Sequence, residues 1–340
     1  MSVWRPPEQN PSPSLATPAI SAEIGCPVPP PGRPKPFVAD RTVHAALRGE
    51  RKPRPSTLTG TAFDDPHLAM TAYSFRLDGS ELQRYQAMAA RALDSEASFW
   101  DAGGIGPGAR VVDLGCGPGT FLPALAARTA PNGRVTGIDR AADAVAAARA
   151  LVDKLALERV DVQQAGCEVT RIDTASVDTV LMRNVLVHNG RAVPAILAHV
   201  RSLLRPGGHL LVAEPDLAKL EFPDHVIDER ELEQRWIAWA RSVGNDPSLG
   251  ARLAAIVASA GFGVEASTSR IDVLRVERSP AWTARHVLVE AGFATDSDVQ
   301  RWDNAIANRL TMTGSLEVGL PLHVVLARRP HPQGADGGAT

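Results

Sequence analysis

The chain is poor in cysteine, carries little net charge and contains no long hydrophobic run. Three cysteines occur among its 340 residues, Cys26, Cys116 and Cys167, too few and too scattered for a disulfide framework or a zinc site. The net charge of −2 lacks the basic excess that is typical of nucleic-acid-binding domains. No apolar stretch approaches a membrane span, and the N-terminus lacks the pattern of a secretory signal. We therefore expect a cytoplasmic protein with no membrane span and no nucleic-acid partner.

The first 65 residues differ in composition from the rest of the chain. Eleven of the 27 prolines lie within the first 36 residues. Such a segment forms few backbone hydrogen bonds and buries little surface. We expect residues 1–65 to form a disordered tail, either a solvated extension or a docking segment, and residues 330–340 to form a second one. One folded domain over 66–329 remains, with N-terminal lid helices in 66–108.

Strand-like and helix-like segments alternate from residue 110 onward, which predicts an α/β fold with a doubly wound parallel sheet. The strands are expected near 110–114, 134–139, 159–164, 177–183, 208–214, 263–275 and 321–328. Alanine-rich helices are expected near 119–129, 141–157, 190–204 and 248–260. Residues 216–247 and 279–318 interrupt this alternation and are expected to be helical insertions on the substrate side of the sheet.

A glycine-rich turn follows the first predicted strand. Residues 111–120 are Val-Val-Asp-Leu-Gly-Cys-Gly-Pro-Gly-Thr, with glycines at Gly115, Gly117 and Gly119. A strand that enters a helix through such a turn lets the backbone approach a nucleotide-like ligand closely. The dinucleotide pattern G-x-G-x-x-G fails at Thr120, which disfavours a nicotinamide dehydrogenase.

Two acidic residues extend this pattern. Asp113 lies just before the glycines and suits a ligand that carries an ammonium group. Asp139 ends the second predicted strand, 24 positions after Gly115, where an acid can accept hydrogen bonds from ribose hydroxyls. Together they favour a nucleoside ligand with a positively charged end.

The form D-x-G-x-G-x-G resembles motif I of the class I S-adenosylmethionine-dependent methyltransferases. The run from Leu203 to Glu214, with Pro206-Gly207-Gly208 at its turn, resembles the small-molecule branch that includes the ubiquinone and menaquinone biosynthesis enzymes. The resemblance covers roughly residues 70–329. It implies a seven-stranded Rossmann-like sheet with an antiparallel last strand, and S-adenosylmethionine as the methyl donor.

The resemblance also implies a set of cofactor-binding residues along the carboxyl edge of the sheet. Cys167 stands where relatives have the acid that contacts adenine, and a thiol is a weak acceptor, so this contact passes to Glu168 or to the backbone. Tyr73 is either a lid residue that touches cofactor or substrate, or a packed aromatic. The full set is Tyr73, Asp113, Gly115, Cys116, Gly117, Gly119, Asp139, Arg140, Cys167, Glu168 and Asn184.

Two residues are candidates for proton transfer. His188 follows the fourth predicted strand, where a general base is expected, although a structural histidine fits equally well. Asp216 follows the fifth strand and is the second candidate. Glu214 precedes it, and a structural role for Glu214 is at least as probable as a catalytic one. Two acids do not make a metal site, so no metal is expected.

These patterns predict methyl transfer to oxygen, nitrogen or carbon of a small molecule, in secondary metabolism or quinone-type biosynthesis. The reagent carries its own activation, so the protein mainly aligns the reacting atoms and excludes water. Two alternatives stay open, a non-methylating reaction such as a cyclisation, and a non-catalytic cofactor-binding scaffold. The sequence leaves open whether the protein is a monomer or a homodimer.

Overall fold

A computed structural model describes residues 79–223 and 226–331 of the chain. The predicted tail over 1–65, Tyr73 and most of the predicted C-terminal tail lie outside these residues. Seven strands form one sheet in the order β3-β2-β1-β4-β5-β7-β6. Their bounds are β1 Arg110–Leu114, β2 Arg134–Asp139, β3 Val160–Gln164, β4 Val177–Arg183, β5 Leu204–Pro215, β6 Gly263–Val276 and β7 Leu316–Arg328.

The sheet is mixed, as the resemblance implied. Strands β1 to β5 pair in parallel, whereas β7 runs antiparallel to both β5 and β6. From β1 the chain adds β2 and β3 on one side of the sheet and then returns to add β4 and β5 on the other side. Ligands of open α/β sheets bind outside the carboxyl ends of the strands at such a switch point. The predicted seven-stranded Rossmann-like fold is therefore confirmed.

Nine α-helices lie in the described part of the chain. They are α1 Gly79–Ser95, α2 Ala97–Ala102, α3 Leu122–Thr129, α4 Ala142–Lys154, α5 Val193–Leu203, α6 Ile227–Ser242, α7 Leu253–Ser259, α8 Arg285–Glu290 and α9 Asp296–Met312. The two expected insertions thus contain α6 in the first, and α8 and α9 in the second. No helix among residues 79–223 and 226–331 is long and apolar enough to cross a bilayer.

The core consists of one apolar layer on each face of the sheet. Successive residues of a strand point to opposite faces, so Val111 belongs to the layer that contains residues of α3 and α4, while Val112 belongs to the layer that contains residues of α5 and α7. Burial on both faces explains the continuous apolar runs of the parallel strands. The insertions have a small core of their own, in which Trp236 of α6 packs near Trp302 of α9.

Strands β5 and β7 are longer than the sequence predicts. Leu204, which was expected to end a helix, pairs with Val177 before the register shifts at the Pro-Gly-Gly turn. Strand β7 begins at Leu316 because it pairs with Val276 at the far end of β6. Both extensions depend on partners that are distant in sequence.

Candidate active site

The turn after β1 requires glycine. Gly115, Gly117 and Gly119 have φ angles of 82°, 53° and 80°, in the left-handed region that favours glycine. A Cβ atom on Gly115 would lie 2.3 Å from Cγ2 of Val185. The backbone N–H groups of Gly115 and Cys116 donate to the carbonyl of Ile138, at 2.7 and 2.9 Å. The turn is therefore held against β2 and against the segment after β4.

Asp139 ends β2 beside this turn. Its Oδ2 accepts a hydrogen bond from Gly117 N at 2.9 Å, and its Oδ1 accepts one from Ala141 N at 2.9 Å. Two backbone donors thus fix the orientation of the carboxylate. Each oxygen keeps a lone pair for a further donor, which is what binding of a ribose requires.

A cavity with an empty volume of about 840 Å³ lies along the carboxyl edge of the sheet. Its wall includes seven of the residues that the sequence assigned to the cofactor, namely Gly115, Gly117, Asp139, Arg140, Cys167, Glu168 and Asn184. We call it the first cavity.

Three other assigned residues lie behind this wall. Cys116 and Asp113 are buried, and a Cβ on Gly119 would lie 3.0 Å from Cβ of Ala148, so Gly119 allows α4 to pack closely. Tyr73 lies outside the described residues. The sequence thus located the turn, but did not separate residues that face the cavity from residues that support it.

The Asp113 carboxyl is a buried acid with an unsatisfied oxygen. It is 3% exposed, and its Oδ2 has no hydrogen-bond partner within the described residues. Burial raises the pKa of Asp113 to about 7; the charge of Asp139 adds to this shift and Arg183 opposes it. An unsatisfied buried oxygen is costly. Asp139 and Arg183, whose charges act on Asp113, line the first cavity, so the charge of Asp113 would attract an ammonium group bound there, and the site fits the methionine end of S-adenosylmethionine.

Arg183 supplies positive charge to the same cavity. This residue ends β4, lines the first cavity and pairs with Glu96 at 2.5 Å. Glu96 is fully buried and also pairs with Arg270 of β6 at 2.7 Å. Arg183 is thereby held in place from two distant parts of the chain.

Cys167 contributes a protonated thiol to the cavity. Burial raises the pKa of Cys167 to about 12, and the charges of Asp139 and Glu168 add to the shift. Burial likewise raises the pKa of Cys116 well above its usual range. Neither cysteine is in a disulfide. Because reactive cysteines need a low pKa, the arrangement fits a small wall residue better than thiol chemistry.

Glu214 organises the segment after β4. Its carboxylate is fully buried and accepts hydrogen bonds from the backbone N–H groups of Val185, Leu186 and Val187, at 2.9, 2.8 and 3.1 Å. Burial raises the pKa of Glu214 to about 7, against the effect of these three donors. These contacts support the structural role that the sequence left open for Glu214.

A second cavity, with an empty volume of about 580 Å³, adjoins the first. Tyr85, Asn184 and His188 line both cavities. The remaining wall of the second cavity comes from α1, α6, strands β5, β6 and β7, and the segments after β5 and before α8. It consists of Arg84, Met88, Pro215, Leu217, Glu233, Trp236, Leu274, Ala281 and Leu320. Sequence reasoning missed Arg84, Tyr85 and Glu233. The tryptophans of the insertions were a clue, since Glu233 lies one helical turn before Trp236.

His188 lies where the two cavities meet. It ends a short 3₁₀ helix, Leu186–His188, and its ring is 6.2 Å from the Trp236 ring in an edge-on arrangement. Burial lowers the pKa of His188 to about 4, and the positive charges of Arg84 and Arg140 add to the shift. The imidazole is therefore neutral at physiological pH.

Asp216 does not reach either cavity. Its side chain is 1% exposed and lies 3.9 Å from the Lys219 ammonium, while its backbone N–H donates to Pro321 at 2.9 Å. The chain turns away at the end of β5, so the side chain is directed into the protein. The structure thus brings His188 to the expected place but not Asp216. Among residues 79–223 and 226–331, no cluster of three potential metal ligands occurs.

Comparisons with known proteins agree with this geometry. A family model described as a methyltransferase domain matches residues 105–260. Trans-aconitate 2-methyltransferase of Methylobacterium nodulans is 36% identical over 151 residues, 44% of this chain and 50% of that protein. The chain therefore spans about half the length of that relative.

Two further similarities cover more of the chain. An uncharacterised 37.1 kDa protein in transposon TN4556 of Streptomyces fradiae is 30% identical over 311 residues, 87% of this chain and 82% of that protein. The YcgJ protein of Bacillus subtilis has a solved structure with a TM-score of 0.48 and 15% identity, covering 70% of this chain and 99% of that chain. That structural similarity carries no information on the substrate.

The sheet order, the glycine turn and the matching family model together define a methyltransferase domain. The chain belongs to the class I S-adenosylmethionine-dependent methyltransferases, and S-adenosylmethionine is its cofactor.

Proposed function

We propose that this enzyme transfers the methyl group of S-adenosylmethionine to an oxygen, nitrogen or carbon atom of a small molecule held in the second cavity. One observation carries the proposal. The two cavities adjoin and share Tyr85, Asn184 and His188, so a donor in the first and an acceptor in the second would meet at these residues. Methyl transfer needs such an in-line arrangement more than it needs a catalytic group.

The proposed donor site uses the residues of the first cavity. Asp139 would hold the ribose hydroxyls, and Asp113 would accept the ammonium group. Arg140, Cys167 and Glu168 would surround the adenine, and the glycine turn would allow close approach of the backbone. When bound, S-adenosylmethionine supplies an electrophilic methyl group. Asn184, whose Oδ1 is buried without a hydrogen-bond partner among the described residues, would complete the wall near this group.

The proposed acceptor site is mainly apolar. Met88, Leu217, Trp236 and Leu274 would cover the body of the acceptor, which excludes water from the reaction. Trans-aconitate, the acceptor named for the partial relatives, is a polyanion. We do not propose trans-aconitate as the acceptor of this enzyme, because its carboxylates would be repelled by the carboxyl group of Glu233 in the cavity wall.

A labelling experiment tests the proposal. The full chain is incubated with methyl-labelled S-adenosylmethionine and the low-mass fraction of a cell extract, and products are followed by mass spectrometry. His188→Ala should lower turnover by about 100-fold, because loss of a side chain at the junction of the cavities would misplace the reacting atoms. His286→Ala, which changes an exposed histidine, is the matched control.

Three results would contradict the proposal. Lack of S-adenosylmethionine binding in calorimetry would support a scaffold. Cofactor that binds but is never consumed, while a product of unchanged mass forms, would support a non-methylating reaction. Equal turnover of the His188→Ala and His286→Ala variants would show that His188 does not contribute to the reaction site.

A further inference from the structure

The second cavity contains a carboxyl group that methyl donor binding does not use. Glu233 is 3% exposed and lies in the cavity wall with Trp236, one turn further along α6. Both belong to the buried face of this helix. Burial of an ionised acid costs free energy unless it is paired and hydrogen-bonded, and a buried acid in a cavity wall is a candidate for a functional residue.

Within residues 79–223 and 226–331, Glu233 is in no ion pair, and a backbone N–H group orients its carboxyl group. Oε1 of Glu233 accepts a hydrogen bond from Ala281 N at 2.7 Å, and Ala281 is itself buried in the cavity wall. The other acid of this helix face, Glu229, differs, because it pairs with Arg309 of α9 at 2.5 Å. Glu229 is thus neutralised by an ion pair within the protein, whereas Glu233 lies in the wall of the cavity.

Charged groups on several elements face Glu233. Apart from burial, the Ala281 N–H and the Ser279 hydroxyl lower its pKa most, Glu229 of α6 raises it and Arg84 of α1 lowers it. His188, after β4, lines the same cavity. Burial is the largest influence and raises the pKa of Glu233 to about 7.

We propose that Glu233 accepts the hydrogen bond and then the proton of the acceptor's nucleophilic hydroxyl or amine. The acceptor is accordingly a mainly apolar molecule that presents at least one O–H or N–H group and no carboxylate at this position. This assignment rests on the proposed function. The proton moves from oxygen or nitrogen to the Glu233 carboxylate, and the freed lone pair forms the bond to the methyl carbon. The carbon–sulfur bond breaks with its electron pair left on sulfur, and Glu233 then releases the proton to solvent.

Two groups of the cavity can take a proton, and Glu233 suits the task better than His188. Efficient general bases have pKa values near the working pH. Burial raises the pKa of Glu233 to about 7 and lowers that of His188 to about 4, so Glu233 is the group that titrates near the working pH. In this assignment His188 is a hydrogen-bonding and positioning residue at the junction.

Binding of simple probes tests the assignment without methyl transfer. Benzylamine, phenol and benzoate share one ring and differ in their polar group. They are titrated at pH 8 into the full chain saturated with S-adenosylhomocysteine. We expect benzylamine and phenol to bind and benzoate to bind more weakly than either. Glu233→Gln should weaken benzylamine about tenfold or more, the contribution of a hydrogen bond to a charged group.

Glu231→Gln is the matched control, because it makes the same change two residues earlier on α6, at a residue that pairs with Arg235 and Arg301. It should leave all three affinities unchanged. The assignment is overturned if benzoate binds most tightly, if neither benzylamine nor phenol binds, or if the two variants behave alike.

The pH dependence of methyl transfer separates the two proton acceptors. Turnover should rise with pH towards a plateau above about 7, as Glu233 ionises. Glu233→Gln should abolish this rise and lower turnover by about 100-fold, whereas His188→Ala should keep the rise. If instead His188→Ala abolishes the rise and Glu233→Gln keeps it, His188 is the proton acceptor. If no methyl transfer is found but the probe preferences hold, the proposed function fails and the binding role of Glu233 stands.

Discussion

Gly115→Ala tests whether the turn after β1 and the segment after β4 are packed against each other. The substitution adds one methyl group at a residue with φ of 82°, and that methyl would lie 2.3 Å from Cγ2 of Val185. The substitution therefore lowers the free energy of unfolding in two ways. Alanine disfavours the left-handed backbone, and its methyl group overlaps with Cγ2 of Val185. Val185 must move, and with it the segment that carries Asn184 and His188.

The chain offers a matched control for the first effect. Gly108 has φ of 85°, and a Cβ there would meet nothing within 4 Å. Gly108→Ala should therefore lower the free energy of unfolding by the backbone cost alone, ~1–2 kcal/mol. Gly115→Ala should add an overpacking cost of ~1–3 kcal/mol, for a total of ~2–5 kcal/mol. The difference between the two variants measures the contact with Val185.

Urea unfolding and calorimetric titration with S-adenosylhomocysteine measure both consequences. We expect cofactor affinity to fall in Gly115→Ala and to remain unchanged in Gly108→Ala. Adding Val185→Ala to Gly115→Ala removes the overlapping methyl groups, so the double variant should be more stable than additivity predicts. Equal losses in the two glycine variants, or strict additivity in the double variant, would refute the packing argument.

Two further predictions concern buried acids. A cofactor ammonium group should lower the pKa of Asp113 from about 7, so binding at pH 7 should release a proton and strengthen as pH rises between about 6 and 8. Titrations in buffers of different ionisation enthalpy should detect this release in the wild type and lose it in Asp113→Asn, and equal heats in all buffers would contradict it. Glu214→Ala leaves three backbone N–H groups without their acceptor and should lower the free energy of unfolding by at least ~2 kcal/mol, with weaker cofactor binding. Unchanged unfolding and binding would show that these bonds do not organise the segment.

The sequence predicted the parts of the site that depend on local structure. A strand, a glycine turn and a helix occupy about twenty consecutive residues around Gly115, and Asp139 ends the next strand. Such short-range patterns specify backbone geometry directly. The predicted cofactor residues within the described part of the chain consequently line the first cavity or support its wall.

Packing between distant segments could not be predicted. The second cavity combines Arg84 of α1, Glu233 of α6 and Leu274 of β6, three elements far apart in the chain. Their meeting depends on how the insertions pack on the sheet, which no local pattern encodes. For the same reason the sequence made Asp216 a candidate for proton transfer, although the structure buries its side chain away from both cavities.

A crystal structure of the full chain with S-adenosylhomocysteine tests the central claim most directly. We predict that the ribose hydroxyls bind Asp139, and that the adenine lies against Cys167 and Glu168. The sulfur should lie at the shared wall near Asn184 and His188, facing the cavity that contains Glu233. A sulfur atom directed away from that cavity, or a ribose bound away from Asp139, would contradict the proposed placement of donor and acceptor in the two cavities.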